Sequence, residues 1–202
     1  MDVWQLNLRQ LRAAVAIAEV GSISAAAGVV NISQPAITQG LSKLEQQLGT
    51  PLFERSRTGM DATEGGEAFV QRMRAALNRI NSPRVTMTQM KALIAIADAG
   101  SYARAAQVTG LTQPSLHRAI ADLSLALNLT LVQRRGRGIM LTSRGRSLAR
   151  DFGLAKTELE SGLAELASLQ ARETGRIAIG AMPLSRARIL PKAIGRFCAQ
   201  YP

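Results

Sequence analysis

Two short stretches, each opened by a hydroxyl residue and Gln-Pro, hold the side chains best suited to specific hydrogen bonding. The first offers Ser33, Gln34, Pro35, Thr38, Gln39 and Lys43; the second offers Thr112, Gln113, Pro114, Ser115, His117 and Arg118. On a helix these residues share one polar face. Such a face suits base edges in a major groove, where Gln pairs well with adenine and Arg with guanine. A basic, turn-rich run follows each stretch, with Arg55 and Arg57 in the first and Arg134, Arg135 and Arg137 in the second. Arginines set around glycines suit phosphate oxygens or a narrow minor groove.

Those side chains need helices to aim them. Ile37, Leu41, Leu44 and Leu48 recur at helical spacing, as do Leu116, Ile120, Leu123 and Leu127, so each polar face backs onto an apolar stripe. Ser33 and Thr112 are plausible N-caps, and the proline two residues later falls in the first turn, where its missing N–H costs little. Upstream, Leu11, Val15 and Ala18 predict a first helix punctuated by Gly21, and Ser22 opens a shorter one containing Ala26 and Ala27. Met90, Ile94, Ala97, Gly100, Ser101, Ala105 and Ala106 repeat that pattern 79 positions on. The register holds without a gap from Gln10 and Gln89 to Gly66 and Gly145, which predicts a duplicated domain. With the basic runs read as wings, each copy is expected to be a winged helix-turn-helix.

Composition narrows the partners. The chain has 202 residues, 25 Lys and Arg against 14 Asp and Glu, and a formal charge of +11. That balance points to a polyanion. Aromatic residues make up only 3%, which disfavours a stacking platform for single strands. No apolar run approaches the roughly 20 residues of a membrane span, so no membrane partner is expected. One Cys and one His exclude an internal disulfide and a Cys/His zinc site. Neither a signal-peptide pattern nor a cofactor motif is read, and a cytoplasmic location is expected. An enzyme is not expected: there is no His-paired nucleophile and no phosphate-cradling glycine loop.

The stretch GSISAAAGVVNISQPAITQGLSKLEQQLGTPLFERSRTGMDATEGGE resembles the DNA-binding domain of LysR-type transcriptional regulators. The resemblance rests on the paired alanines, Ser-Gln-Pro-Ala, Leu44-Glu45, Leu48-Gly49, Pro51 to Arg55, Thr63 and Gly66. In the second copy Ser124, Asn128, Thr130 and Val132 stand where the family has Glu, Gly, Pro and Phe. The resemblance implies a sequence-specific regulator that binds double-stranded DNA without a cofactor. It also implies a homodimer or higher homo-oligomer, RNA polymerase as a candidate partner, and a small-molecule effector only where a full effector domain exists. Ser143 to about Ala171 reads as one long helix. The resemblance makes it the linker through which subunits dimerise, by Leu148, Phe152, Ala155, Leu159, Leu163 and Leu166. Gly153 and Gly162 would weaken it by about 1 kcal/mol each relative to Ala. A strand at 176–181 and a helix from about Ser185 look like the opening of an effector domain that the chain does not complete.

The expected architecture is therefore mainly α. Residues 1–80 form a winged helix-turn-helix with a short linker helix, 81–142 a second one, 143–174 the long helix, and 175–202 a first β-α unit. Charge divides the copies: residues 8–80 carry a net +2 and residues 81–156 a net +8. This suggests that the first copy reads sequence and the second grips phosphates. Three questions stay open. His117 is either a base contact or an idle exposed side chain. Arg9, Arg12, Arg72, Arg74 and Arg79 are either solvated or on phosphates. One winged helix is either a DNA reader or a docking surface for protein.

Overall fold

Each helix begins and ends where a local signal dictates. Helix α1 (Leu8–Val20) starts at Asn7, whose side chain accepts from the Arg9 N–H, and stops at Gly21, which is left-handed. Helix α2 (Ile23–Val30) is capped by Ser22 and ended by Asn31 in the same left-handed region. Helix α3 (Gln34–Leu48) carries its proline in the first turn and ends at Gly49. Strands β1 (Phe53–Arg55) and β2 (Met60–Ala62) form an antiparallel hairpin, and α4 (Glu64–Ile80) follows.

The same order then recurs 79 positions later. Helices α5 (Met87–Ala99), α6 (Tyr102–Thr109) and α7 (Gln113–Leu127) match α1, α2 and α3 end for end. Strands β3 (Val132–Arg135) and β4 (Gly138–Leu141) form the second hairpin, and α8 (Ser143–Glu173) is the counterpart of α4, longer by about four turns. Where the first copy ends α3 with Gly49, the second uses Asn128 at φ 53°; asparagine tolerates that conformation among non-glycine residues.

The structure is a computed structural model and describes residues 1–57, 59–135, 138–173 and 189–200. It is mainly helical. Met1–Ala167 make one compact unit, and Ser168–Pro202 a second. In the first unit, α1 packs on α2, α3 and α4, and α5 packs on α6, α7 and the 3₁₀ turn Val3–Gln5. The apolar stripes of α3 and α7 lie in the core: Ile37, Leu41, Leu44, Leu48, Leu116, Ile120 and Leu123 are buried, while Leu127 is half-buried. The expected strand at 176–181 lies outside the described residues. Helix α9 (Ile189–Gln200) is the described part of the second unit beyond α8, and the helix start expected at about Ser185 lies outside the described residues.

One pair of matching residues shows why the repeat holds its register. The Thr63 hydroxyl donates to the Pro51 carbonyl at 2.9 Å and accepts from the Gly66 N–H at 3.0 Å. Thr142 does the same with Thr130 at 2.8 Å and Gly145 at 3.0 Å. This ties the hairpin's start to the first turn of the next helix. A Cβ at Gly66 would overlap the Leu52 carbonyl, and one at Gly145 the Leu131 carbonyl, so both positions need glycine for close approach.

Candidate nucleic-acid interface

On α3, Gln34, Pro35, Thr38, Gln39, Ser42, Lys43 and Gln46 are all exposed and line one shallow outward groove. Ile37, Leu41 and Leu44 fill the opposite side, so the polar face is presented by a rigid, buried stripe. Ser33 takes the N-cap position but makes no side-chain cap bond. Its hydroxyl is thus unused by the helix. Thr38 is partly engaged, donating to the Gln34 carbonyl at 3.0 Å. Arg55 and Arg57 are exposed on and beside the first hairpin.

The α7 face is differently committed. Thr112 caps its helix by accepting from the Ser115 N–H, and the two hydroxyls are 2.8 Å apart. Ser115 is therefore tied into the cap, although exposed. His117 stacks on Tyr102 of α6 with ring centroids 3.6 Å apart. Burial pushes the Tyr102 phenol up. His117 thus has a structural partner that the sequence reading did not foresee. The register held a signal: Ile23 and Thr38 become Tyr102 and His117 together, a paired change across the helix contact. Arg118 lies 3.9 Å from Asp122, but both are exposed, so the pair restrains it weakly. Gln113, Pro114 and Arg134 are exposed. The backbone of Arg135 lies in β3, and Arg137 falls outside the described residues.

The hairpins differ in charge. In the first, Glu54 sits directly opposite Asp61, placing two carboxylates across the ladder. In the second, Gln133 faces Met140 at that position, and Arg134 faces Ile139. Glu45 also explains a difference in sequence: its carboxylate accepts from the Leu52 and Phe53 N–H groups at 2.8 and 3.2 Å. Ser124 stands in its place in the second copy.

The linker helices meet inside one chain. Gly65 approaches Leu166, Phe69 approaches Gly162, and Arg72 pairs with Glu158 at 3.0 Å, so α4 and α8 run antiparallel. Arg72 also holds Glu165 at 2.5 Å. A Cβ on Gly162 would lie 2.6 Å from the Phe69 ring. Gly162 is thus a point of close approach to α4, where any side chain would meet Phe69. The stripe expected to await a second chain is largely occupied: Phe152, Ala155, Leu159 and Leu166 are buried within the single chain, and Leu148 and Leu163 are half-buried against its core. Arg72 is thus an interhelix clamp rather than a solvated or phosphate-bound residue, and Arg74 pairs with Glu19 at 3.2 Å. The sequence signal for the clamp was the spacing of Glu158 and Glu165, seven apart on one helix face.

Both partners of the clamp favour their charged forms. Hydrogen bonding to Glu165 and then Glu158 raises the Arg72 value, and Arg72 lowers that of Glu165. A lowered carboxylate stabilises the fold above its unfolded value and loses that effect as pH falls through its folded value. The melting temperature of Glu165→Gln should therefore lie below that of the parent chain at neutral pH. The two should converge as pH drops below about 4. A gap that persists in acid would show that the carboxylate charge is not what matters.

Comparison with known proteins matches the same residues. The family model "Bacterial regulatory helix-turn-helix protein, lysR family" matches residues 8–67 and again 87–146. The HTH-type transcriptional regulator GalR of Pseudomonas putida strain KT2440 is 31% identical over 215 residues, covering all of this chain and 54% of GalR. ClcR of Pseudomonas putida is 44% identical over 80 residues, 40% of this chain and 27% of ClcR. Among solved structures, the CbnR_DBD–DNA complex is 41% identical, covers 36% of this chain and 84% of that one, and has a TM-score of 0.35. The chain spans about half the length of GalR. These relatives are transcriptional regulators rather than enzymes. With 8–67 and 87–146 both matched, the chain belongs to the lysR family of bacterial regulatory helix-turn-helix proteins.

Proposed function

We propose that this chain is a DNA-binding transcriptional regulator in which duplication has placed two winged helix-turn-helix heads on one polypeptide, α3 and α7 being the reading helices. The observation that carries this reading is the paired presentation: two equivalent helices, 79 positions apart, each backed by a buried stripe and turned polar side outward. The heads do different work. Gln34, Gln39 and Lys43 of α3 are uncommitted and suited to base edges, with Thr38 beside them. On α7, Ser115 and His117 are engaged within the protein, leaving Gln113, Arg118 and the arginines of the second hairpin to supply affinity. The carboxylates of Glu54 and Asp61 repel phosphate from that part of the first hairpin, which favours the second as the stronger backbone grip.

Packing of α4 on α8 supports a further element: one chain holds two heads where a single-headed relative would need two chains. Selection of bound fragments from random duplex DNA, with the protein-to-DNA ratio measured on the selected site, tests this. One chain protecting two adjacent sequence elements is the expected result. Absence of any selected sequence would overturn the reader assignment and favour the rival reading, a head used for docking protein.

A further inference from the structure

Between the two copies, within the unit Met1–Ala167, lies a cleft of about 630 Å³. Its walls come from residues 4–9, 12 and 30–32 of the first copy and 83–88 of the second. The size falls in the range of small-molecule sites. Arg9, Arg12 and Arg84 are among its lining residues, and among the described residues no Asp or Glu is. Among the described residues none of the three is in an ion pair. Arg12 is half-buried and its nearest anchor is neutral, the Ser82 carbonyl at 2.5 Å. Burial holds its value below the ordinary one, the mark of a desolvated cation without a counter-charge. The remaining wall is apolar and planar in part, with Trp4, Val30 and Ile32.

Each feature selects against other occupants. Three unpaired cations reject a cation and gain from an oxyanion, to which guanidinium donates in a matching fork. The indole and aliphatic wall would be wasted on a bare inorganic ion. From this juxtaposition we infer that the cleft between the two copies binds a small organic anion, a carboxylate on a planar apolar body, held by Arg9, Arg12 and Arg84 against Trp4. A ligand there touches both copies at once. The inference stands independently of which head reads bases.

Trp4 is the single tryptophan of the chain, so its emission reports this cleft alone. Titration of the full chain with benzoate should give a saturable emission change. Benzyl alcohol, which lacks the charge, should give only a weak linear one. Arg84→Gln, at an exposed position, and Arg12→Gln should each weaken the benzoate midpoint about tenfold or more, the loss expected for a charge-assisted bond. Arg84→Gln guards against the chance that removing Arg12 from Ser82 unfolds the junction. A linear response to benzoate, or a midpoint unmoved in Arg84→Gln, overturns the inference. Inorganic phosphate saturating as well as benzoate overturns the planar body. Saturation by a short duplex with none by benzoate shows the cations to be a DNA backbone contact and overturns the small-molecule assignment.

Discussion

Changing Gln34 and Gln39 to Ala together should lower affinity for the preferred duplex by about thirtyfold or more, with affinity for random duplex nearly unchanged. Each bidentate side chain–base pair is worth about 1–3 kcal/mol of discrimination. Both glutamines are exposed on α3, and removing them leaves the buried stripe intact, so the helix itself should survive. The matched change on α7, Gln113→Ala with His117→Ala, should cost less in discrimination because His117 already spends its ring on Tyr102. By contrast, reversing Arg134 and Arg135 should reduce the slope of log affinity against log salt by about one per lost phosphate contact. Gel shifts on selected and random duplexes across a salt series measure both. Equal loss on the two duplexes after the α3 change would sink the assignment of base reading to that helix.

The second large effect concerns the joint between the linker helices. Phe69→Ala should destabilise the unit Met1–Ala167 by about 3–5 kcal/mol, the usual cost of emptying an aromatic site in a core. Phe69 is fully buried, and its ring edge is what meets Gly162. The vacancy would therefore open both the packing of α4 on its own head and its contact with α8. Gly162→Val probes the contact from the other side: overpacking there should cost about 1–3 kcal/mol. Arg72→Ala, which removes half-exposed ion pairs, should cost much less. Chemical denaturation of the three variants measures this order. A loss below about 1 kcal/mol for Phe69→Ala would mean that α4 and α8 are not held by this packing.

Local signals carried most of the secondary structure. Asn7, Ser22, Thr63, Thr86, Ser101 and Thr112 each cap the helix they precede. Gly21, Gly49, Gly100 and Gly110 each end one in the left-handed region. These effects act within a turn or two, so a sequence shows them directly. The stripe of α3 and the offset of 79 were legible for the same reason, since periodicity is a property of neighbours. The polar face of α3 followed as the complement of its stripe.

Contacts that span long separations were not legible. Arg72 meets Glu158 and Glu165 across 86 and 93 residues, and nothing in a charge pattern says which carboxylate a distant arginine will find. The same holds for Arg12 and Ser82, 70 apart, and for the 3₁₀ turn Val3–Gln5 against α5. Periodicity showed that Phe152, Ala155, Leu159 and Leu166 must be buried, but an apolar stripe does not record what covers it. A stripe gains the same free energy from its own chain as from a second copy. The residues themselves determined two repeats of the same helices and hairpin and the faces these turn outward; only tertiary packing decided that α4 and α8 meet within the chain.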